Sequence, residues 1–289
     1  MPVTLRPLLA HTVAGTPQVF VALGALVVAY AVAEGRRRGA GLGTRDRFPF
    51  AGGVFVLAIA LAGPLHDLAA ELFSAHMAQH VLLAAVAPPL LLLGRPGRRL
   101  LSLPPAGWIG PVARAGRRAH TLLLVAGPGT GMVLTVTAAT LVLWAWHIPV
   151  LYEAAVLDPV IHAVEHAMLV GTGLLFWSEV MRLDRRGFQP HALLGLFVAG
   201  GSGAALGVLL AFSGRVAYTV HAAGAARFGL TPLEDQQVAA VGMWMGGGLV
   251  YVFAAVVVAA HWLAAARNGS EPELPAVATL PTAPAGSRS

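Results

Sequence analysis

Apolar stretches of about 20 residues recur along this chain, and that length is what an α-helix needs to cross the hydrocarbon of a bilayer. No other feature narrows the fold as much. Lipid offers backbone N–H and C=O groups no partners, so each such stretch is expected to bond internally as a helix. Seven helices are expected, at roughly 17–34, 49–64, 72–94, 129–148, 159–181, 191–213 and 237–262. The second is the shortest. Composition agrees: 57% of the 289 residues are hydrophobic and only 11% are charged, against about 25% charged in a soluble domain. Mean hydropathy is +0.73. The expected fold is therefore an all-α polytopic membrane bundle of seven transmembrane helices over residues 17–262, after a short outer segment at 1–16. The stretch 263–289, rich in Pro, Ala and Ser, is expected to be a disordered cytoplasmic tail.

The formal charge of +6 invites a nucleic-acid reading, but its distribution argues against one. All nineteen basic residues are Arg. They gather at Arg36, Arg37, Arg38, Arg45 and Arg47, at Arg95, Arg98, Arg99, Arg114, Arg117 and Arg118, and at Arg182, Arg185 and Arg186. The alternate segments hold only Arg6, Arg215 and Arg227. This is the positive-inside pattern, and it puts the N-terminus outside and the C-terminus in the cytoplasm. The first apolar run has no basic segment before it, which suits an uncleaved first helix better than a signal peptide. The chain has no cysteine, so disulfides, thiolate metal sites and thiol nucleophiles are excluded.

Orientation turns a scatter of histidines into a cluster. The third helix runs inward and opens with "HMAQH", placing His76 and His80 near its outer end. The fifth also runs inward, from Asp158-Pro159, an N-cap followed by proline at the first helical position. It carries "HAVEH": His162, Glu165 and His166. The fourth runs outward and ends in "WAWHIP", which puts His147 at the same side. His66 and His221 fall in outer connections. Residues four apart share a helix face, with Cβ atoms about 5–6 Å apart. Each His-x-x-x-His pair can therefore present two imidazoles to one ion. Glu165 can add a ligand or hold a ligand histidine in orientation. A single histidine at a helix end is commonly just an interfacial polar group. Two pairs and His147 on one side, in spans where ionisable groups are costly, point to a shared metal or cofactor site.

Other features are weaker. Met77, Met168, Met243 and Met245 offer thioether sulfur to copper, although methionine in a membrane helix also serves as packing. Asp235 fits as the N-cap of the last helix, ahead of Gln236 and Gln237. Trp144, Trp146 and Tyr152 read as an outer aromatic belt. Glu179 is expected to pair with Arg182 or Arg186. Pro88 and Pro89 are expected to kink the third helix. The spacings Gly203 to Gly207 and Gly242 to Gly246 suggest close packing of the last two helices.

Three segments taken together, "HMAQHVLLAAVAPPLLLLGRP", "WHIPVLYEAAVLDPVIHAVEHAMLVGTGLLFW" and "DQQVAAVGMWMGGGLVY", resemble the CtaG family of membrane proteins, the cytochrome c oxidase assembly factors. The likeness covers roughly residues 60 to 262. It implies a multi-pass protein of the bacterial plasma membrane that serves the maturation of a haem–copper oxidase by handling copper for its active site. The family positions that match are His76, His80, His147, His162, Glu165, His166, Asp235 and Gln236; His66 and His221 do not transfer. The implied partners are an oxidase subunit, the lipid bilayer and a copper donor protein on the outer side.

Several functions are compatible with the residues themselves. A metal-handling assembly factor, not an enzyme, would bind copper, with zinc an alternative ion for the same imidazoles. In it His76, His80, His147, His162 and His166 would be ligands, with Glu165, Asp235, Gln236, Met77 and Met243 auxiliary. An intramembrane zinc hydrolase would need three His ligands and an activated water, but "HMAQH" lacks the acid of H-E-x-x-H. A b-type haem carrier would use histidines from two helices as axial ligands. A copper transporter would use the same residues as the assembly factor.

Overall fold

The computed structural model describes residues 17–35, 44–94 and 127–269, with a few isolated helical positions between 114 and 125. The described residues form helices and connections, with no strand among them. The expected N-terminal segment, the arginines at 36–38 and 95–99, and the tail from 270 onward lie outside the described residues.

All seven expected segments are helical. They are α1 (Pro17–Gly35), α2 (Thr44–Ala62) with the short α3 (Pro64–Glu71), and α4 (Phe73–Val81), which continues through a π-turn at Leu82–Val86 into α5 (Ala87–Leu93). Next come α6 (Pro128–Trp146), the short α7 (Pro149–Leu157), α8 (Pro159–Arg185) and α9 (Gln189–Phe212). Last are the short α10 (Ala222–Arg227) and α11 (Pro232–Val241), which passes through a second π-turn at Gly242–Gly247 into α12 (Gly248–Gly269). Five helices are long and apolar enough to cross a membrane alone: Phe73–Leu93, Gly129–Trp146, Pro159–Arg185, Gln189–Phe212 and Pro232–Arg267. The pair Arg47–Ala62 and Pro64–Glu71, bent by 41°, makes a sixth if it counts as one span. The first apolar helix, Val19–Ala31, is shorter than the others. The count by length and composition is thus five or six, where seven was expected. The last helix also runs to Gly269, past the expected boundary at 262.

The proline pair shapes the span that carries "HMAQH". Pro88 has no N–H to give the carbonyl of Ala84, four residues back. The span absorbs this as a π-turn, in which the Ala87 N–H reaches Leu82 O. The freed Ala84 carbonyl accepts from the Trp177 indole N–H of α8 at 3.3 Å. Gly173 of α8 lies against the same carbonyl, and a Cβ there would stand 2.7 Å from Ala84 O. The anomaly in one helix is therefore satisfied by its neighbour, which also fixes how closely α8 approaches.

Small residues bring the last two spans together, though only partly as expected. A Cβ at Gly207 of α9 would meet Ala240 O at 2.9 Å, and one at Gly200 would meet the Tyr251 side chain at 3.2 Å. Gly203, Gly242 and Gly246 have nothing within 4 Å and do not form the contact.

The N-terminus of α11 corrects the role expected of Asp235. The cap is Thr231, whose side chain accepts from the Glu234 N–H while Glu234 accepts from the Thr231 N–H. This is a reciprocal capping box, and its T-x-x-E signature is present in "TPLE". The helix starts five residues before the position expected from the apolar run, so Asp235 is already inside it. Its carboxylate caps a different helix: Phe73 N–H donates to Oδ2 at 2.7 Å and Ser74 N–H to Oδ1 at 3.1 Å. Two orphan donors and the positive end of α4 thereby meet a buried anion. Asp235→Ala is expected to cost about 0.5–2 kcal/mol, read as a lower thermal midpoint of the purified protein in detergent. An unchanged midpoint would count against the cap.

Gln236, the neighbouring auxiliary candidate, is also a structural clamp. Its amide donates to Leu210 O, Ser213 Oγ and Arg215 O, and its oxygen accepts from the Ala217 N–H at 2.7 Å. It ties the loop after α9 to α11. At the opposite end of α8, Glu179 pairs with Arg182 as expected, with Arg182 Nε donating to Oε2 at 2.7 Å.

Candidate metal centre

The histidines are brought together by helix periodicity, by the short α3, which carries His66, and by the connection before α10, which carries His221. On α4, His76 and His80 are one turn apart with ring centroids 4.4 Å apart. On α8, His162 and His166 stand 4.1 Å apart. Asp158 starts α8 as expected, accepting from the Val160 and Ile161 N–H groups at 2.7 and 3.1 Å. The two pairs face each other: His76 to His162 is 5.3 Å and His80 to His166 is 5.5 Å between centroids.

Glu165 lies between them and is fully buried. Its Oε2 is 3.8 Å from His76 Nε2 and its Oε1 is 3.6 Å from His80 Nε2. Both distances exceed a hydrogen bond. His76, His80, Glu165 and His166 each offer a ligand atom, and all four atoms lie within 4.8 Å of one another. His162 and His147 fall outside this tight set, so the expected group of five histidines separates into a core and two flanking positions.

The polar accounting supports a bound cation. The buried side-chain atoms without a hydrogen-bond partner include His76 Nε2, both ring nitrogens of His80, His162 Nε2, His166 Nε2 and both oxygens of Glu165. Buried polar groups are normally paired, and each orphan costs about 1–3 kcal/mol. So many lone pairs converging in one place fit an ion that would engage them together. Three imidazoles and a carboxylate are donors suited to zinc or copper.

The surroundings include residues that spacing did not reveal. His66, on α3, stacks near His162 with centroids 6.3 Å apart, and its Nδ1 meets the Gln79 amide at 3.2 Å. Gln79, inside "HMAQH", is fully buried and also donates to Ala60 O. His221 lies 6.0 Å from His76 and its Nε2 is 2.7 Å from the Tyr152 hydroxyl. Tyr152 is itself fully buried, 5.2 Å from the His76 ring, so it lines the centre and is not part of an aromatic belt. Of the expected belt, Trp146 is also buried, while Trp144 is partly exposed and donates to Ser202 Oγ at 2.8 Å. Burial lowers the pKa of His221 and raises that of Tyr152. The pair therefore holds as a neutral imidazole beside a protonated phenol. All seven histidines assigned to one side of the membrane thus lie at one end of the bundle.

His147 caps α6 at the edge of this group. Its Nδ1 is 2.7 Å from Leu143 O and its Nε2 is 3.2 Å from Met77 Sδ. The Tyr218 hydroxyl donates to its carbonyl at 2.8 Å and fixes the turn before Pro149. Met243 is buried in the same region, at the second π-turn, whereas Met168 and Met245 are exposed.

No curated protein and no solved structure matches the chain. The profile of the cytochrome c oxidase caa3 assembly factors (Caa3_CtaG) matches residues 27–265, which include every helix that bears the histidine cluster. On that match, the chain belongs to the cytochrome c oxidase caa3 assembly factor family.

Proposed function

We propose that the chain binds copper on His76, His80, His166 and Glu165 and delivers it to a haem–copper oxidase subunit within a bacterial plasma membrane. The carrying observation is the convergence of four ligand atoms within 4.8 Å, with most of their lone pairs otherwise unpaired. Copper is cargo on this reading, and the chain makes or breaks no covalent bond in a substrate. His162 and His66 extend the imidazole surface from the core set along α8 and α3. They offer a route by which an outer donor protein could load the site. The histidine end would face outward, because the Arg182, Arg185 and Arg186 group sits about 30 Å along α8 from His162, at 1.5 Å per residue.

The test joins the protein to the oxidase. Purified chain is expected to carry copper, and His76→Ala/His80→Ala is expected to lose it. A strain lacking the chain should make an oxidase deficient in copper, restored by the wild type and not by the double variant. An oxidase with its full copper content in the deletion strain would overturn delivery. Copper content unchanged by the double substitution would overturn the site.

A further inference from the structure

Met77 and His147 meet in a way that hydrogen bonding does not explain. The Leu143 carbonyl, 2.7 Å from His147 Nδ1, can only accept, so Nδ1 carries the ring proton. Nε2 then presents a lone pair, and Met77 Sδ stands 3.2 Å from it. A thioether has lone pairs and no proton to give. Two electron-pair donors face each other in a buried place with no hydrogen between them.

From this juxtaposition we infer a second metal position, held by Met77 Sδ and His147 Nε2, that takes a soft monovalent ion, Cu(I) or its mimic Ag(I). Two donors 3.2 Å apart are close enough to ligate one ion set to the side of the line that joins them. That bite leaves the ion open to a third ligand. A cavity lined by Met77, His80, His147 and Met243 adjoins the pair. His80 belongs to this cavity and also to the His76–His80–Glu165–His166 set, so it is common to both positions. The two donor sets differ in kind. The first has a carboxylate and three imidazoles; the second has a neutral imidazole and a thioether and is the softer of the two. This inference rests on the copper reading above and adds a second, softer donor pair that His80 adjoins.

The test is X-ray absorption at the copper edge on full-length protein in detergent, loaded anaerobically with Cu(I). The wild type is expected to show a sulfur scatterer in the copper shell, and the nearly isosteric Met77→Leu is expected to lose it. In His76→Ala/His166→Ala the sulfur signal should persist while copper stoichiometry falls. Copper bound by nitrogen and oxygen alone in the wild type would overturn this position and leave the first intact. So would a sulfur signal unchanged by Met77→Leu, or its loss together with all copper in the double variant. Failure of the wild type to take up any copper would overturn both readings.

Discussion

Copper affinity in a His80→Ala/His166→Ala variant is expected to fall by more than ~100-fold. Losing even an outer partner of a metal ligand costs about 10–100-fold, and this variant removes one direct donor from each of the two helices that form the set. Of the tight set, only His76 on one helix and Glu165 on the other would remain to face an ion. Competition with a chelator of known affinity measures the change. His261→Ala is the control, because His261 pairs with Asp184 at 2.8 Å near the other end of α8 and is exposed. Equal losses in both variants would mean that the copper had bound nonspecifically to surface imidazole.

The second large effect concerns a residue with no polar atom in its side chain. Gly173→Leu is expected to destabilise the bundle by about 1–3 kcal/mol and to weaken copper binding as well. Any Cβ at this position lies 2.7 Å from the Ala84 carbonyl and 3.0 Å from Pro88 Cγ. Neither can yield easily, since one is backbone and the other is a ring that already constrains it. The relief is for α8 to move away from the span containing α4 and α5. That motion would stretch the Trp177 bond to Ala84 and part the facing histidine pairs. A Cβ at Gly171, two residues away, meets nothing within 4 Å, so Gly171→Ala is expected to change neither property. Thermal unfolding in detergent and chelator competition read the two effects. If Gly173→Leu bound copper as tightly as the wild type, the glycine contact would not govern the spacing of the histidines.

The spans were legible because lipid makes length and apolarity nearly sufficient to specify a helix. The two His-x-x-x-His pairs were legible because helical spacing fixes which residues share a face. Orientation from the arginines then assigned the histidines to one side. What spacing does not carry is the path of the short helices. α3 breaks from α2 by 41° and brings His66 to His162. The connection before α10 brings His221 to Tyr152. Both placements depend on contacts between segments far apart in sequence. The separation of His162 and His147 from the tight set is likewise a matter of ångströms that helical periodicity cannot supply. Asp235 is a different case. Its partner lies 162 residues away and could not be foreseen, but the Thr231–Glu234 box that excludes it as a cap was present in the sequence.

The bond between Asp235 and the start of α4 also has a consequence for the order of biogenesis. During synthesis, His76 and His80 emerge well over a hundred residues before the carboxylate that caps their helix. Until the span from Pro232 is in place, the Phe73 and Ser74 N–H groups in the first turn of α4 lack their carboxylate cap. A chain stalled or truncated before Pro232 would contain every residue of the tight histidine–glutamate set, yet it would lack the part that steadies half of it. The segment from Pro232 onward therefore completes the histidine end, because it brings the carboxylate that caps the helix opening with His76 and His80.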